Sequence, residues 1–285
     1  MATETPLRFP PMPSGKKSKQ ARRAAASAPP PVRSTGQRGR QADPKVLAIA
    51  GGVVALVVAG IVLALVFTGG GSSSGKLPSG TPTIGNCAAD GLPGCAEVAA
   101  LYKGIPQQGL YLGSPFAKSQ MTIYIDLQCP FCQNYETTVM PTLIKKYVRT
   151  NKVRIKVMPW AFIGPDSTRG QKAMFAAAQQ NKAWNFAEVL YLNQRTENTG
   201  WLDDSMVAQA AASVDGLNVK KLLAAQGSST ISKQVADVAA QAQINHVGGT
   251  PTVFVGKSGS KQKLVGSSGT VPDLAQTEAA IDAAQ

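Results

Sequence analysis

A β-rich segment leads directly into two cysteines three residues apart, and this arrangement constrains the fold more than any other feature of the sequence. Residues 121–127 (MTIYIDL) are nearly continuous in apolar side chains, which is typical of a central strand covered on both faces. The motif CPFC follows at residues 129–132, and a helical pattern continues to about residue 149, with a kink expected at Pro141. Residues 152–158 (KVRIKVM) alternate as a second strand. The sequence therefore predicts a β-α-β unit with the cysteine pair at the strand-to-helix turn.

The spacing of the two cysteines suits reversible disulfide chemistry. Residues at i and i+3 in the first helical turn share a face, so Cys129 and Cys132 can form a disulfide with little backbone movement. Pro130 takes the first helical position, where its missing N–H costs nothing, and the free N–H groups of Phe131 and Cys132 can face the Cys129 sulfur. The helix N-terminus then favours a thiolate on Cys129, which becomes the nucleophile, while the shielded Cys132 becomes the resolving thiol.

Two other readings of the motif deserve comparison. A zinc site needs four ligands, and the only further Cys or His residues are Cys87, Cys95 and His246, none of them in a second close CxxC. A purely structural disulfide between Cys129 and Cys132 is the other alternative. Redox chemistry is the preferred reading, and since it uses the two thiols themselves, we expect neither a metal nor an organic cofactor.

Residues 46–67 (VLAIAGGVVALVVAGIVLALVF) contain no charged side chain. As a helix they would span about 33 Å, enough for a hydrocarbon core of about 30 Å. The 45 residues before the run and its bulky apolar end argue against a cleaved signal peptide. Basic residues precede the run and Gly/Ser residues follow it, so the sequence predicts a single-pass anchor with a cytoplasmic N-terminus and an extracytoplasmic C-terminal domain.

Most of the net charge of +13 lies in the N-terminal tail. Residues 1–45 carry ten Lys or Arg against two acidic residues, and so hold eight of the thirteen net positive charges. Their Pro-, Ala- and Ser-rich composition predicts a disordered cytoplasmic tail. Residues 68–85 are rich in Gly, Ser, Thr and Pro and predict a flexible tether. The domain that follows, residues 86–285, is only mildly basic, so we expect no nucleic-acid partner.

The second half of the domain is predicted to be mainly helical. Residues 166–245 are rich in Ala, Gln, Lys and Leu and form a helical insertion, with predicted helices at 171–193, 205–213, 217–225 and 231–243. Two short strands at 252–255 and 263–265 and a last helix at 271–284 complete the domain.

Three segments make the domain resemble the DsbA-like, thioredoxin-fold family of exported disulfide oxidoreductases. They are Leu112-Gly113-Ser114-Pro115, the segment Asp126 to Cys132 around CPFC, and Gly249-Thr250-Pro251-Thr252-Val253-Phe254-Val255, separated by the helical insertion. The resemblance covers about residue 104 to the C-terminus. It implies an α/β, thioredoxin-like fold with a helical insertion, here preceded by a single transmembrane helix and a disordered basic tail.

The resemblance also implies roles for individual residues. The Thr250–Pro251 peptide bond is expected to be cis and to pack beside the CxxC, where it exposes backbone groups that can pair with an extended substrate. The strongly oxidising members of the family carry His where this chain has Phe131, and often Val where it has Thr250. The resemblance therefore implies the chemistry of Cys129 and Cys132 and leaves the direction of electron transfer open.

The activity implied by the resemblance is oxidation of the thiols of exported proteins. The partner would be a membrane redox protein of the DsbB or vitamin K epoxide reductase-like kind. A disulfide reductase or isomerase is the alternative enzyme. A tethered chaperone-like binding module, in which the cysteines are incidental, is the alternative from another class.

Several polar residues outside CPFC have two readings each. Cys87 and Cys95 enclose a turn-rich heptapeptide, so we predict a local structural disulfide, with a second redox pair as the alternative. Asp126 is read as the end of the strand, with proton transfer to Cys132 as the alternative. His246 is read as structural, with a proton shuttle as the alternative.

Overall fold

The computed structural model describes residues 80–285. The predicted cytoplasmic tail (1–45), the predicted transmembrane helix (46–67) and residues 68–79 of the predicted tether lie outside this range. Within the described residues, none of the helices combines the length and the apolar composition that crossing a membrane requires. The tail, the membrane helix and the flexibility of residues 68–79 therefore remain predictions.

In residues 80–285, six strands form one mixed sheet in the order β1-β2-β4-β3-β5-β6. The two central strands, β3 and β4, run parallel, and the other neighbouring pairs are antiparallel. The strands are β1 (Gln107–Gln108), β2 (Tyr111–Leu112), β3 (Ser119–Ile125), β4 (Val153–Pro159), β5 (Thr252–Lys257) and β6 (Lys263–Leu264). The pairs β1–β2 and β5–β6 extend the sheet on either side of its central strands.

The two central strands match the predicted pair with small shifts in their ends. β3 lies two residues earlier than the predicted strand 121–127, because Asp126 leaves the sheet and its carboxylate accepts the N–H of Gln128. Both faces of the last three residues of β3 are buried, as their apolar side chains predict. Because β3 and β4 are parallel, the residues that follow them, including Cys129, lie at the same edge of the sheet.

Ten α-helical segments accompany the sheet in the described part of the chain. They are α1 (Cys87–Asp90), α2 (Cys95–Tyr102), α3 (Pro130–Asn134), α4 (Met140–Leu143), α5 (Pro165–Ala178), α6 (Ala183–Leu192), α7 (Asp204–Ala212), α8 (Val219–Ala225), α9 (Ser229–Ile244) and α10 (Leu274–Ala283). Helices α5 to α9 make up the helical insertion. α10 packs on β3 and β5 and begins with a capping box formed by Asp273 and Gln276.

The helix after CPFC is not the simply kinked α-helix that the sequence predicts. Two π-helical turns, Tyr135–Val139 and Ile144–Val148, alternate with α3 and α4. At the end of the first turn, the N–H of Met140 donates to the carbonyl of Tyr135, five residues back. Pro141 lies in the first turn of α4, where its missing N–H is tolerated. The π-helical turns on either side of α4 let the helix continue past the proline.

The predicted helix 171–193 is wrong, because the structure has two helices there, α5 and α6. The break falls at Asn181, which adopts a left-handed conformation with φ 56°. The N–H of Lys182 donates to the carbonyl of Ala177 at 3.0 Å, as in a Schellman helix end. Asparagine tolerates the left-handed region better than most residues, so it ends α5 in the absence of glycine.

The last residues of the predicted tether are part of the folded domain. The N–H of Gly85 donates to the carbonyl of Leu217 at 2.8 Å, and the N–H of Val219 donates to the carbonyl of Thr83 at 2.9 Å. Gly85 is buried, and a Cβ atom there would lie 2.5 Å from the carbonyl oxygen of Ala211. The backbone at position 85 lies so close to its neighbours that only glycine fits. Together with the two hydrogen bonds, this close contact shows that the folded domain begins at about Thr83.

Candidate active site

The cysteine pair lies at the carboxyl end of β3, at the start of α3. Cys129 is the N-cap residue and Pro130 occupies the first helical turn, as the sequence predicts. Cys132 is fully buried, whereas 5% of Cys129 remains exposed. An incoming thiol can therefore reach only the sulfur of Cys129. Neither side chain is joined in a disulfide in the structure.

The two thiols differ in acidity. The Cys132 thiol hydrogen-bonds to Cys129 and is the largest cause that lowers the pKa of Cys129 to about 6. Partial burial opposes this effect, while Thr250 and the amides of Cys132 and Phe131 add to it. Burial raises the pKa of Cys132 well above its ordinary value, and the neighbouring Cys129 raises it further. At neutral pH Cys129 is thus a thiolate and Cys132 a thiol.

The loop before β5 completes the surroundings of the reactive sulfur. The Thr250–Pro251 peptide bond is cis, in agreement with the sequence prediction. The Cys129 sulfur lies 3.2 Å from the carbonyl oxygen of Thr250, to which the protonated thiol donates. β5 pairs with β3 through Thr252 and Tyr124, which brings this loop to the edge of the sheet where Cys129 lies. The structure therefore brings Cys129, Cys132, Thr250 and Pro251 together.

Asp126 anchors the loop that follows β4. One carboxylate oxygen accepts the N–H groups of Phe162 and Ile163 at 2.7 and 2.9 Å, and the other accepts the N–H of Gln128 at 2.8 Å. Three amide donors around a buried carboxylate give it a structural role. These bonds support the first reading of Asp126 over proton transfer.

Two exposed phenylalanines lie in segments beside the cysteines. Phe131 is 65% exposed within the CPFC motif. Phe162 is 50% exposed in the loop that Asp126 holds, and its ring packs on Trp160 with centroids 4.9 Å apart. Exposed aromatic side chains of this kind form apolar surface patches.

Comparison with known proteins agrees with this geometry. A family model described as Thioredoxin matches residues 106–265, more than half of the chain. The chain belongs to the thioredoxin family. The resemblance inferred from CPFC and the Thr250-Pro251 segment is thereby confirmed, and the site is that of a thiol–disulfide oxidoreductase.

Two relatives have sequences similar to that of this chain. The probable disulfide bond formation protein D of Bacillus cereus is 31% identical over 150 residues, which cover 50% of this chain and 68% of the relative. The protein of the same name from Bacillus anthracis is 29% identical over a stretch of the same length and coverage.

Two solved structures of the thioredoxin family show the same fold. Oxidised BdbD from Bacillus subtilis has a TM-score of 0.55 and 19% identity, over 63% of this chain and 96% of that one. Chlamydia trachomatis DsbA has a TM-score of 0.52 and 19% identity, over 61% of this chain and 90% of that one.

A polar network behind the cysteines was not foreseen from the sequence. The Gln194 side-chain amide donates to the carbonyls of Leu127 and Cys129 at 3.0 and 3.3 Å. The N–H of Asn198 donates to the Gln128 side chain at 2.8 Å. Both Gln194 and Asn198 lie between α6 and α7. Some 65 residues separate them from CPFC, and no motif marks them.

Three buried ionisable side chains lie behind the active-site helix. Glu136 and Glu188 are 2% and 4% exposed, and Tyr102 is 4% exposed. Burial raises the pKa of Glu188 to about 8, and burial together with Glu188 raises that of Glu136 well above its ordinary value. Glu136 is four residues after Cys132, which places it on the same buried face of the helix. That spacing was the one available sequence signal for it.

Cys87 and Cys95 are joined by a disulfide that spans α1 and α2, with Cα atoms 5.7 Å apart. The enclosed loop is attached to the insertion, because the Asn193 side chain donates to the carbonyl of Pro93 at 3.0 Å. Among the described residues, no hydrogen bond joins this pair to Cys129 or Cys132. His246 is exposed and adopts a left-handed conformation with φ 52°.

Proposed function

We propose that this chain introduces disulfides into exported proteins through Cys129 and Cys132. The observation that carries the proposal is the opposite acidity of the two thiols. Cys129, of which 5% is exposed, is a thiolate with a pKa of about 6, and the fully buried Cys132 behind it is a thiol. A stable Cys129 thiolate favours the reduced pair, so the Cys129–Cys132 disulfide is a good oxidant. The names of the Bacillus relatives, disulfide bond formation protein D, support the same direction.

The proposed reaction transfers two electrons from the substrate to the enzyme. A substrate thiolate attacks the Cys129 sulfur, the Cys129–Cys132 bond breaks, and the Cys132 sulfur leaves and takes up a proton. A second substrate thiolate then attacks the substrate sulfur of the mixed disulfide. This step forms the substrate disulfide and releases Cys129 as a thiolate. Its low pKa makes Cys129 a good leaving group in the second step.

The reduced enzyme then needs an electron acceptor. We propose a membrane redox protein of the DsbB or vitamin K epoxide reductase-like kind, with the enzyme held beside it by residues 46–67. The charge asymmetry around that apolar run supports an extracytoplasmic catalytic domain. A membrane-impermeant thiol reagent tests the location: it should label reduced Cys129 in intact cells. Labelling only after lysis would contradict the proposed location.

A reductase or isomerase is the second candidate. Phe131 and Thr250 favour it, because strong oxidants of the resembling family carry other residues at these two positions. In that case the reduced pair would be supplied with electrons and would attack substrate disulfides through the same Cys129 thiolate.

A redox titration against glutathione separates the two candidates. The oxidised domain, residues 80–285, is equilibrated with glutathione buffers and then mixed with a reduced, unfolded polypeptide that carries two thiols. An oxidase should have an equilibrium potential near or above about −180 mV and should form the substrate disulfide at stoichiometric amounts. A potential near that of thioredoxin, about −270 mV, would contradict the oxidase and favour the reductase.

Two variants control the experiment. Cys129→Ala should abolish oxidation, whereas Cys132→Ala should accumulate mixed disulfides that identify the substrates in cells. If Cys129→Ala keeps full function in cells, the cysteine chemistry is incidental and the chaperone-like module replaces both enzyme proposals.

A further inference from the structure

The loop between α6 and α7 holds the short segment that joins β3 to α3. Its contacts fall on each of the last three residues of that segment, Leu127, Gln128 and Cys129. We propose that Gln194 is a positioning residue for the thiol–disulfide chemistry: its side-chain amide binds the two carbonyls that flank Gln128 and so fixes the backbone from which Cys129 presents its sulfur. The inference rests on the proposed use of Cys129 as the nucleophile.

The geometry of the Gln194 side chain suits this role. A primary amide has two N–H donors, and the nitrogen lies 3.0 Å from the Leu127 oxygen and 3.3 Å from the Cys129 oxygen. The Leu127 carbonyl belongs to the peptide group with Gln128, and the Cys129 carbonyl belongs to the peptide group with Pro130, so the backbone of Gln128 and Cys129 lies between the two bonds. Binding both at once restricts rotation of the backbone between them, which a single hydrogen bond would not do.

The peptide group between Cys129 and Pro130 depends on this contact more than its neighbours do. Proline has no N–H, so the Cys129 oxygen is the only polar atom of this peptide group that can form a hydrogen bond. The N–H of Gln133 binds that oxygen from inside the helix at 3.0 Å. Gln194 binds it from outside the helix, so two donors from different elements fix its orientation.

Orientation of this backbone determines which donors reach the sulfur. The Cys129 sulfur has the Cys132 thiol, the amides of Phe131 and Cys132, and Thr250 around it. These groups belong to the helix and to the loop before β5, so they keep their positions if the Cys129 backbone rotates and its sulfur moves away from them. Loss of the Gln194 contact should therefore weaken several hydrogen bonds to the thiolate together.

Gln194 is itself held in place on both sides. The backbone N–H of Gln194 donates to the carbonyl of Tyr191, at the end of α6, at 3.3 Å. The adjacent Asn193 side chain donates to the carbonyls of Pro93 and Val189 at 3.0 and 2.8 Å. The amide therefore acts from a rigid support, as a positioning group must.

The test compares three variants of the purified full chain. Gln194→Leu removes the donors at similar volume, and Gln194→Met removes them in an unbranched, uncharged side chain. Gln180→Leu is the matched control, because Gln180 also lies in the insertion and makes two hydrogen bonds with backbone groups, in this case both of Asn218. Thiolate absorbance against pH gives the Cys129 pKa, glutathione equilibration gives the redox constant, and urea unfolding reports stability.

Gln194→Leu should raise the pKa of Cys129 by at least half a unit and weaken the disulfide as an oxidant about threefold at pH 7. Gln194→Met should shift both values in the same direction as Gln194→Leu, and Gln180→Leu should change stability alone. If either Gln194 variant gives the same pKa and redox constant as Gln180→Leu, the inference is wrong. Should Gln194→Leu not fold, Gln194→Ala replaces it under the same criteria.

Failure of the proposed function would look different. If the unaltered domain titrates as an ordinary thiol, the acidity argument for the oxidase is contradicted, whatever the Gln194 variants do. If the domain is an acidic-thiol oxidase and the Gln194 variants match the control, only the positioning role is lost.

Discussion

The acidity of Cys129 depends on a neighbour that is itself part of the reaction. In the reduced protein the buried Cys132 thiol donates to the Cys129 thiolate, and this is the largest cause of the low pKa of Cys129. In the mixed disulfide with substrate, Cys129 no longer needs this donor. Cys132 therefore acts both as the leaving sulfur of the first step and as the group that stabilises the product thiolate.

Replacement of Cys132 separates these two roles. Cys132→Ala removes the donor and should raise the pKa of Cys129 by about one to two units, since a hydrogen bond to a charged group contributes about 1.5–3 kcal/mol. Cys132→Ser keeps a donor and should leave the pKa closer to 6. Thiolate absorbance at 240 nm, followed against pH, measures both. Equal values in the two variants would show that donation from position 132 is unimportant.

The reacting residues could be predicted from the sequence because their chemistry is local. Cys129, Pro130 and Cys132 share one helical turn, so their spacing in the sequence is enough to predict which sulfur is the nucleophile and which is shielded. Gln194 and Glu188 could not be predicted, because each meets the active-site segment only through the packing of the insertion. A single glutamine or glutamate in an Ala- and Gln-rich segment carries no local signal.

At the scale of elements, the active-site helix departs most from its sequence pattern. Each π-helical turn adds a residue relative to an α-helix, so side chains after it rotate by about 100° relative to the regular pattern. The sequence predicts a kink at Pro141, but hydrophobic periodicity averages over such turns and cannot show them. Glu136 lies in the first of these turns, Tyr135–Val139, which packs on α6.

The carboxyl pair formed by that turn and α6 should make stability depend on pH. In the unfolded chain Glu188 loses its proton near 4.5, whereas in the folded protein its pKa is about 8. Between these values the folded state holds more protons, so the free energy of unfolding should fall as pH rises, by at most about 1.4 kcal/mol per pH unit for each proton. Above about pH 8 the contribution of Glu188 should level off.

Glu188→Gln should remove part of this dependence. Urea unfolding at pH 5 and pH 8 should show a smaller difference in the variant, because a neutral amide has no proton to lose. Glu197→Gln, at an exposed position, is the control and should keep the full difference. An unaltered protein that is more stable at pH 8 than at pH 5 would contradict the buried neutral pair.

The segment before α1 gives a second prediction at the scale of elements. Gly85→Ala should lower the free energy of unfolding by about 1–3 kcal/mol, because the added Cβ meets backbone oxygens of residues 211–214. Gly227→Ala meets no atom within 4 Å and should have little effect. Chemical denaturation of both variants measures the difference. Equal stabilities would mean that residues 83–85 do not belong to the folded unit.

Element boundaries show why the strands were easier to predict than the helices. β3 and β4 differ from prediction by two residues at most, because the apolar run of β3 and the alternation of β4 both follow from the burial of their side chains. The break at Asn181 depends on one left-handed residue within a continuous helical pattern. Helices α1 and α2 follow a Pro/Gly-rich segment, and their composition gives no clear periodicity.

At the scale of the whole molecule, the Cys87–Cys95 disulfide should be mainly structural. Closing this short loop should stabilise the domain by roughly 2.5 kcal/mol on chain-entropy grounds. The double variant Cys87→Ser/Cys95→Ser should lose about that amount in urea unfolding and keep the redox constant of Cys129 and Cys132. A changed redox constant at unchanged stability would instead support a second redox pair.

Under the proposed activity, the same disulfide makes each newly synthesised copy of the protein a substrate of the mature enzyme. A newly made chain contains four thiols, and the folded domain needs two of them joined outside the active site. Under the proposed activity, each new copy is a client before it is an enzyme, and a mature copy can complete it. The supply of finished enzyme would then grow from the enzyme already present, so that cells starting with none would depend on a different oxidant for their first molecules.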